Sequence, residues 1–203
     1  MSLTAALRSA QQWIATDPDE QTRTELQQLV RRAESGDQEA VDELADAFDG
    51  TLSFGTAGLR GRLGPGSNRM NRVVVMRAAA GLAAYLRDTG CRSIVIGYDA
   101  RRNSDVFAHD TARIMAGAGI AAMVLPHPLP TPVTAFAIGF LGTSGAVMVT
   151  ASHNPPEDNG YKVYLGDGSQ IVPPADAQIS ERIAAVGPVA DIPTSDDYVT
   201  LGS

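Results

Sequence analysis

VMVTASHNPPEDNGYKVY, from Val147 to Tyr164, is the stretch on which the reading of this chain turns. The apolar run from Gly145 to Thr150 reads as a buried strand. A polar loop follows, with Ser152 at its start and His153 and Asn154 beside it. Pro155 and Pro156 each fix φ and each remove a backbone donor, so this loop is stiff. Asn159-Gly160 reads as a turn, with a short return strand expected over Tyr161–Tyr164. Lys162 lies on that strand. A strand–loop–strand of this kind can present Ser152 and Lys162 to one cleft.

Lys162 is the most informative single residue. Of 16 cationic side chains, 15 are Arg and this one is Lys. A guanidinium stays charged, whereas an amine shifts its pKa on burial and can exchange a proton. The plain alternative is a solvated lysine on an exposed strand. The nearby hydroxyl and the bias against lysine elsewhere favour a chemical role.

Outward from this stretch, helical and strand patterns alternate. Asn71 reads as the cap of a helix to about Arg87. SIVIGYDAR, from Ser93, reads as a buried strand ending in a polar loop with Asp99 and Arg101. Ser104 is expected to cap a helix to about Ala116. Gly117–Ala122 mimics part of a dinucleotide fingerprint, but it stands at a helix end before a strand, so it reads as a helix stop and strand entry. Ile120–Leu125 is a strand, PHPLPTP a rigid turn, and Thr131–Phe140 a short helix. After Lys162, Gly166–Gly168 makes a hairpin turn, and Pro173-Pro174 opens a last helix to about Val186. This alternation predicts a three-layer α/β/α domain with a mixed, mainly parallel sheet.

Upstream, residues 1–50 read as a helical extension. Leu3, Leu7, Ala10 and Ile14 share one face of a first helix. Thr22 and Glu25 suggest a capping box opening a second, and Asp37–Phe48 a third. Residues 51–190 form the main domain, and residues 191–203 read as a linker to a further domain. Between extension and main domain lies LSFGTAGLRGRLG, with glycines at 55, 58, 61 and 64. It is neither the dinucleotide fingerprint nor a P-loop, because it lacks the Lys-Ser/Thr pair. Its glycines permit close backbone approach, and Arg60 offers a fork that fits a phosphate bidentately.

TASHNP followed by NGYK, together with FGTAGLRG, resembles the α-D-phosphohexomutase superfamily, in the variant carried by its phosphoglucomutase-2-like members. The resemblance covers about residues 50–190 and only the first of the family's four domains. It implies phosphoryl transfer between C1 and C6 of a hexose through a phosphoserine at Ser152. On that resemblance Ser152, Lys162, His153 and Arg60 would be catalytic. Thr56, Gly58, Asn154 and Arg101 would bind substrate or phosphate. A Mg²⁺ would sit on the phosphate of Ser152, with its other ligands from an Asp-rich loop in another domain, and a hexose bisphosphate would serve as activator or intermediate. Sugar-choosing loops would also lie in other domains, so this chain alone should not isomerise a sugar phosphate. A phosphopentomutase is the second reading, because FGTAGLRG also occurs there.

Composition supports the same picture. About 70% of the unfolded surface of a chain of 203 residues can be buried, enough for one good core. One cysteine, Cys91, excludes an internal disulfide and suits a reducing cytoplasm. No apolar run is long enough to span a membrane, and no basic-then-apolar leader opens the chain. Residues 1–50 carry a net −7, residues 51–150 a net +6, and residues 151–203 a net −6. A positive centre in an acidic chain suits a small anion such as a sugar phosphate better than a nucleic acid. His109 and His127 have no ligand-spaced partner and read as structural. A serine hydrolase is disfavoured, because adjacent Ser and His on an extended loop point apart and no G-x-S-x-G elbow exists. A non-catalytic sugar-phosphate-binding domain remains as a reading from a different class.

Overall fold

Short runs of Val, Ile and Ala fill the middle of one sheet. In the computed structural model, which describes residues 1–202, these runs are β2 (Ser93–Tyr98), β3 (Ala121–Val124) and β4 (Gly145–Val149). They pair in parallel, with Val95 opposite both Met123 and Ala146. β5 (Asp158–Leu165) returns antiparallel to β4, and β1 (Leu59–Arg62) pairs antiparallel with β5. A two-residue β6 (Val199–Thr200) extends the far edge in parallel with β3. The strand order is β1-β5-β4-β2-β3-β6, a mixed sheet as the alternation predicts.

The two faces are covered unequally. Ile94, Ile96, Val147, Val149, Tyr161 and Val163 point to one side, where they meet α4 (Arg72–Asp88), α5 (Ser104–Gly117) and Ile179 of α7 (Ala175–Ala184). Val95, Ala146, Met148 and Tyr164 point to the other, where α6 (Thr131–Leu141) packs with Ala137 and Ile138. The two-residue period of a strand then decides where Lys162 goes. It pairs with Met148 and lies on the side of α6, the more thinly covered face.

The first 50 residues build a separate core. α1 (Leu3–Thr16), α2 (Glu20–Glu34) and α3 (Gln38–Ala47) bury Ala6, Ala10, Leu26, Ala40 and Leu44 among themselves. Loop 64–69 ties this bundle to the sheet. Asn68 donates to the Ala47 and Asp46 carbonyls, and Arg69 pairs with Asp46.

Four local expectations are corrected. Thr22 is not a cap. α2 starts at Glu20 because Asp19 caps it, while the buried Thr22 hydroxyl donates to Asp17 at 2.7 Å. Ser104 does not cap α5 but is its first residue, its hydroxyl donating to Asp99; Asn103, with φ of 65°, precedes the helix and makes no side-chain capping bond. Asn159-Gly160 is not a turn but the interior of β5, because the Asn159 amide is fully buried and donates to Arg102 O and Ser104 Oγ. The segment after Val186, which reads as an aperiodic linker, carries a 3-10 turn (Val189–Asp191) and β6. Tyr198 reaches His109 Nδ1 at 3.0 Å, and Arg113 pairs with Asp196 at 2.7 Å, which holds the segment on α5.

Gly160 shows why a strand here needs glycine. A Cβ at that position would stand 2.6 Å from Thr150 O and 2.9 Å from Leu59 O, both backbone atoms of the flanking segments. We predict that Gly160→Ala lowers stability by about 1–3 kcal/mol, the usual range for overpacking. Urea denaturation measures it, and a loss under about 0.5 kcal/mol, as at an indifferent surface site, would contradict the close approach.

Candidate active site

The loop between β4 and β5 is built from its backbone. Ser152 adopts φ of 60°, a left-handed conformation uncommon for a residue with a side chain. Its N–H donates to Thr150 Oγ1 at 2.9 Å, and Asn154 N–H donates to Ala151 O at 3.1 Å. The turn thus lies at residues 151–157, and both Ser152 and His153 are exposed at its tip. A non-glycine residue in this region costs about 1–3 kcal/mol and persists only where its surroundings hold it.

Arg101 holds the loop from beneath. Its Nη1 donates to Pro155 O at 2.7 Å and to Asp158 O at 3.0 Å. Its Nη2 donates to Ser152 O at 3.0 Å and to Asn154 O at 2.7 Å. Nε faces Asp99 Oδ2 at 3.4 Å, and the side chain is only 16% exposed. Asp99 in turn accepts from Arg101 N–H and from Ser104 Oγ, at 3.0 and 2.7 Å. Asn154 Oδ1 accepts from Arg60 Nη1 at 3.2 Å, while its Nδ2 donates to Asp158 Oδ2 at 2.7 Å.

Ser152, His153 and Lys162 line one open cleft of about 470 Å³, together with Asp99, Thr150, Met148 and Leu129–Pro132 at the start of α6. The strand–loop–strand therefore does bring the hydroxyl and the amine to one cavity. Burial pushes the Lys162 amine below the ordinary lysine range, and the Arg60 guanidinium adds a smaller push the same way. A folded-state value below the unfolded one means that charging this amine costs stability at low pH. That cost is relieved as pH rises through the folded value toward the ordinary one.

The glycine-rich stretch lies against the same strand. Gly55 and Gly58 exchange backbone hydrogen bonds of 2.8 and 3.2 Å around a two-residue tip, with Thr56 exposed on it. Gly58 has φ of 75°, and any Cβ there would overlap the Tyr161 carbonyl and press on Lys162 Cα. Thr56 O accepts from Gln170 Nε2 at 2.8 Å. Thr56, Gly58, Arg60, Asn154 and Arg101, expected in the site, do not line the cleft. His109 faces Tyr198 and lies outside the site, and His127 is exposed in the turn after β3. Among the described residues no group of three His, Cys, Asp or Glu could hold a metal ion.

Sequence reasoning missed Thr150, Asp158, Ser104 and Asn159 as builders of the loop. A Thr two residues before Ser152 is a recognisable hydroxyl-to-backbone turn signal, and it could have been read. The Asn159–Ser104 bond joins residues 55 apart and leaves no local trace.

The family model described as phosphoglucomutase/phosphomannomutase, alpha/beta/alpha domain I, matches residues 51–189. The chain belongs to that family. It is 62% identical over 138 residues to a probable phosphomannomutase of Haemophilus influenzae, covering 65% of this chain and 28% of that one. It is 40% identical over 176 residues to a probable phosphoribomutase of Schizosaccharomyces pombe, covering 85% of this chain and 29% of that one. A crystal structure of a Thermus thermophilus protein assigned as a phosphomannomutase superposes with TM-score 0.67 at 30% identity, covering 75% of this chain and 33% of that one. The chain thus spans under a third of the length of these curated relatives. No helix among the described residues is long and apolar enough to cross a membrane.

The sole lysine makes its titration directly observable. We predict that Arg60→Gln raises the Lys162 pKa, because it removes a neighbouring positive charge while leaving the burial. NMR of the lysine side chain against pH reads it in both proteins. An unchanged or lower value in the variant would show that Arg60 does not act on this amine.

Proposed function

We propose that this chain supplies the phosphoserine half of a phosphohexomutase site, acting on mannose or glucose phosphates. The observation that carries the reading is the shared cleft of Ser152 and Lys162, the residues quoted from TASHNP and NGYK. Ser152 carries the phosphoryl group. In the transfer, the bond from phosphorus to Ser152 Oγ breaks and a bond to a sugar hydroxyl oxygen forms. The hydroxyl proton passes to Lys162 as base, and Ser152 Oγ takes a proton in return. The second half reverses this at the other end of the resulting bisphosphate. An amine whose affinity for its proton is lowered by burial gives that proton up more readily than a free lysine, as such exchange requires.

Arg60 and His153 hold phosphoryl oxygens as these gather charge. Asn154, hydrogen-bonded to Arg60, orients the loop. Of a Mg²⁺ shell, this chain offers the phosphate on Ser152 as a contact, consistent with further ligands coming from elsewhere in a longer protein. The 203-residue chain should fold, because its strands and helices bury their own core. It should not isomerise a sugar phosphate, because sugar contacts and a distal phosphate site lie outside it. A pentose phosphate is the second reading, favoured by the 40% identity to a probable phosphoribomutase.

Two measurements check this. Intact-mass and peptide analysis of the complete mutase, incubated with a hexose bisphosphate, should place one phosphoryl group on Ser152. Phosphate elsewhere, with Ser152→Ala still fully active, would overturn the assignment. In the same protein Lys162→Arg should lose about 10²- to 10⁴-fold in turnover, as a missing acid–base group does. Near-normal turnover in that variant would leave Lys162 an electrostatic role only. Coupled assays on mannose, glucose and ribose 1-phosphates choose the sugar.

A further inference from the structure

A guanidinium has five N–H donors and no acceptor. In Arg101 the four terminal ones meet the carbonyls of Ser152, Asn154, Pro155 and Asp158, and the fifth faces Asp99. None is left for a phosphate. The same side chain is mostly buried and stands behind the loop, outside the residues that line the cleft. Its partners span the whole turn, from the residue with positive φ to the first residue of β5. Pro155 and Pro156 supply no N–H of their own. Within the turn Asn154 N–H donates to Ala151 O and Asp158 N–H to Pro155 O, and Arg101 cross-braces from outside the carbonyls of Ser152, Asn154, Pro155 and Asp158. The brace itself is anchored, since Asp99 also receives Ser104 Oγ, and Ser104 receives the buried Asn159 amide.

We propose that Arg101 is a positioning residue of the phosphoryl-transfer site, fixing the presentation of Ser152, and not a phosphate ligand. This rests on the functional reading above for what the loop presents, but not for how it is held. Lysine cannot substitute. It keeps the charge, but a single ammonium with three donors cannot bridge four carbonyls in a plane.

The test has two arms. On the 203-residue chain, hydrogen exchange of the Asn154 and Asp158 amides should quicken about tenfold or more in Arg101→Lys, while amides of β2 and β4 keep their protection. Exchange at the loop within about twofold of the parent chain would overturn the proposal. Should the variant fail to fold, the unsubstituted chain decides. Titrated with inorganic phosphate and followed by side-chain NMR, the Arg60 guanidinium should shift and that of Arg101 should not. A saturable shift confined to Arg101 would overturn the proposal. In the complete mutase, Arg101→Lys should lower kcat about 10- to 100-fold, the cost seen when a supporting residue is removed. KM for the sugar phosphate should stay within about twofold, because uniform binding is untouched. A raised KM with unchanged kcat would mean a lost substrate contact and sink the idea. If Ser152 accepts no phosphoryl group at all, the functional reading fails, while the exchange arm still decides whether Arg101 shapes the loop.

Discussion

β5 is inserted between β1 and β4, antiparallel to both, and the rest of the molecule depends on that insertion. It leaves Gly160 with backbone carbonyls on either side, close enough to exclude any side chain. From this one squeeze the register follows. Leu59 pairs with Tyr161 and Met148 with Lys162, so the glycine-rich stretch, the serine loop and the lysine meet at one corner. Residues distant in sequence are brought together by hydrogen bonds of the sheet, not by attraction between the functional groups. The functional groups are in fact in mild conflict. Arg60 and Lys162 are both cationic, and Arg60 makes it harder for the lysine to hold its proton.

Much of this was legible in the residues. Strands β2 to β4 are short apolar runs between turn signals, and such runs admit few other readings. Asn71 caps its helix where it was expected to, since a cap is a local bond. What misled was also local. Asn-Gly is the commonest hairpin signal, yet here the Asn side chain faces inward to brace α5 and the Gly makes room for two neighbours. Both reasons lie in other segments. Thr22 and Glu25 imitate a capping box, but the two aspartates ahead of them win the helix start. β6 could not be read, because two residues have no period and their pairing is supplied by β3.

The candidate site divides in a similar way. Ser152 and His153 were singled out by their place in the TASHNP loop, and Lys162 by being the one lysine of the chain; the fold sets all three on one cleft. The parts that hold them in place are ordinary threonines, serines and aspartates, whose roles exist only in the fold. Arg101 stands between the two cases. Its type suggests an anion, while its surroundings occupy the four terminal donors with backbone oxygens and set Nε against the Asp99 carboxylate.

The helical extension and the sheet domain have cores that share no buried residue. Between them stand the bonds of Asn68 to Asp46 and Ala47, the Arg69–Asp46 pair and the seating of Gly66 on the Ala47 backbone. Cooperativity in unfolding comes from shared burial, and little is shared here. Each unit therefore rests mainly on its own packing, the bundle on α1–α3 and the sheet domain on the helices that cover its strands.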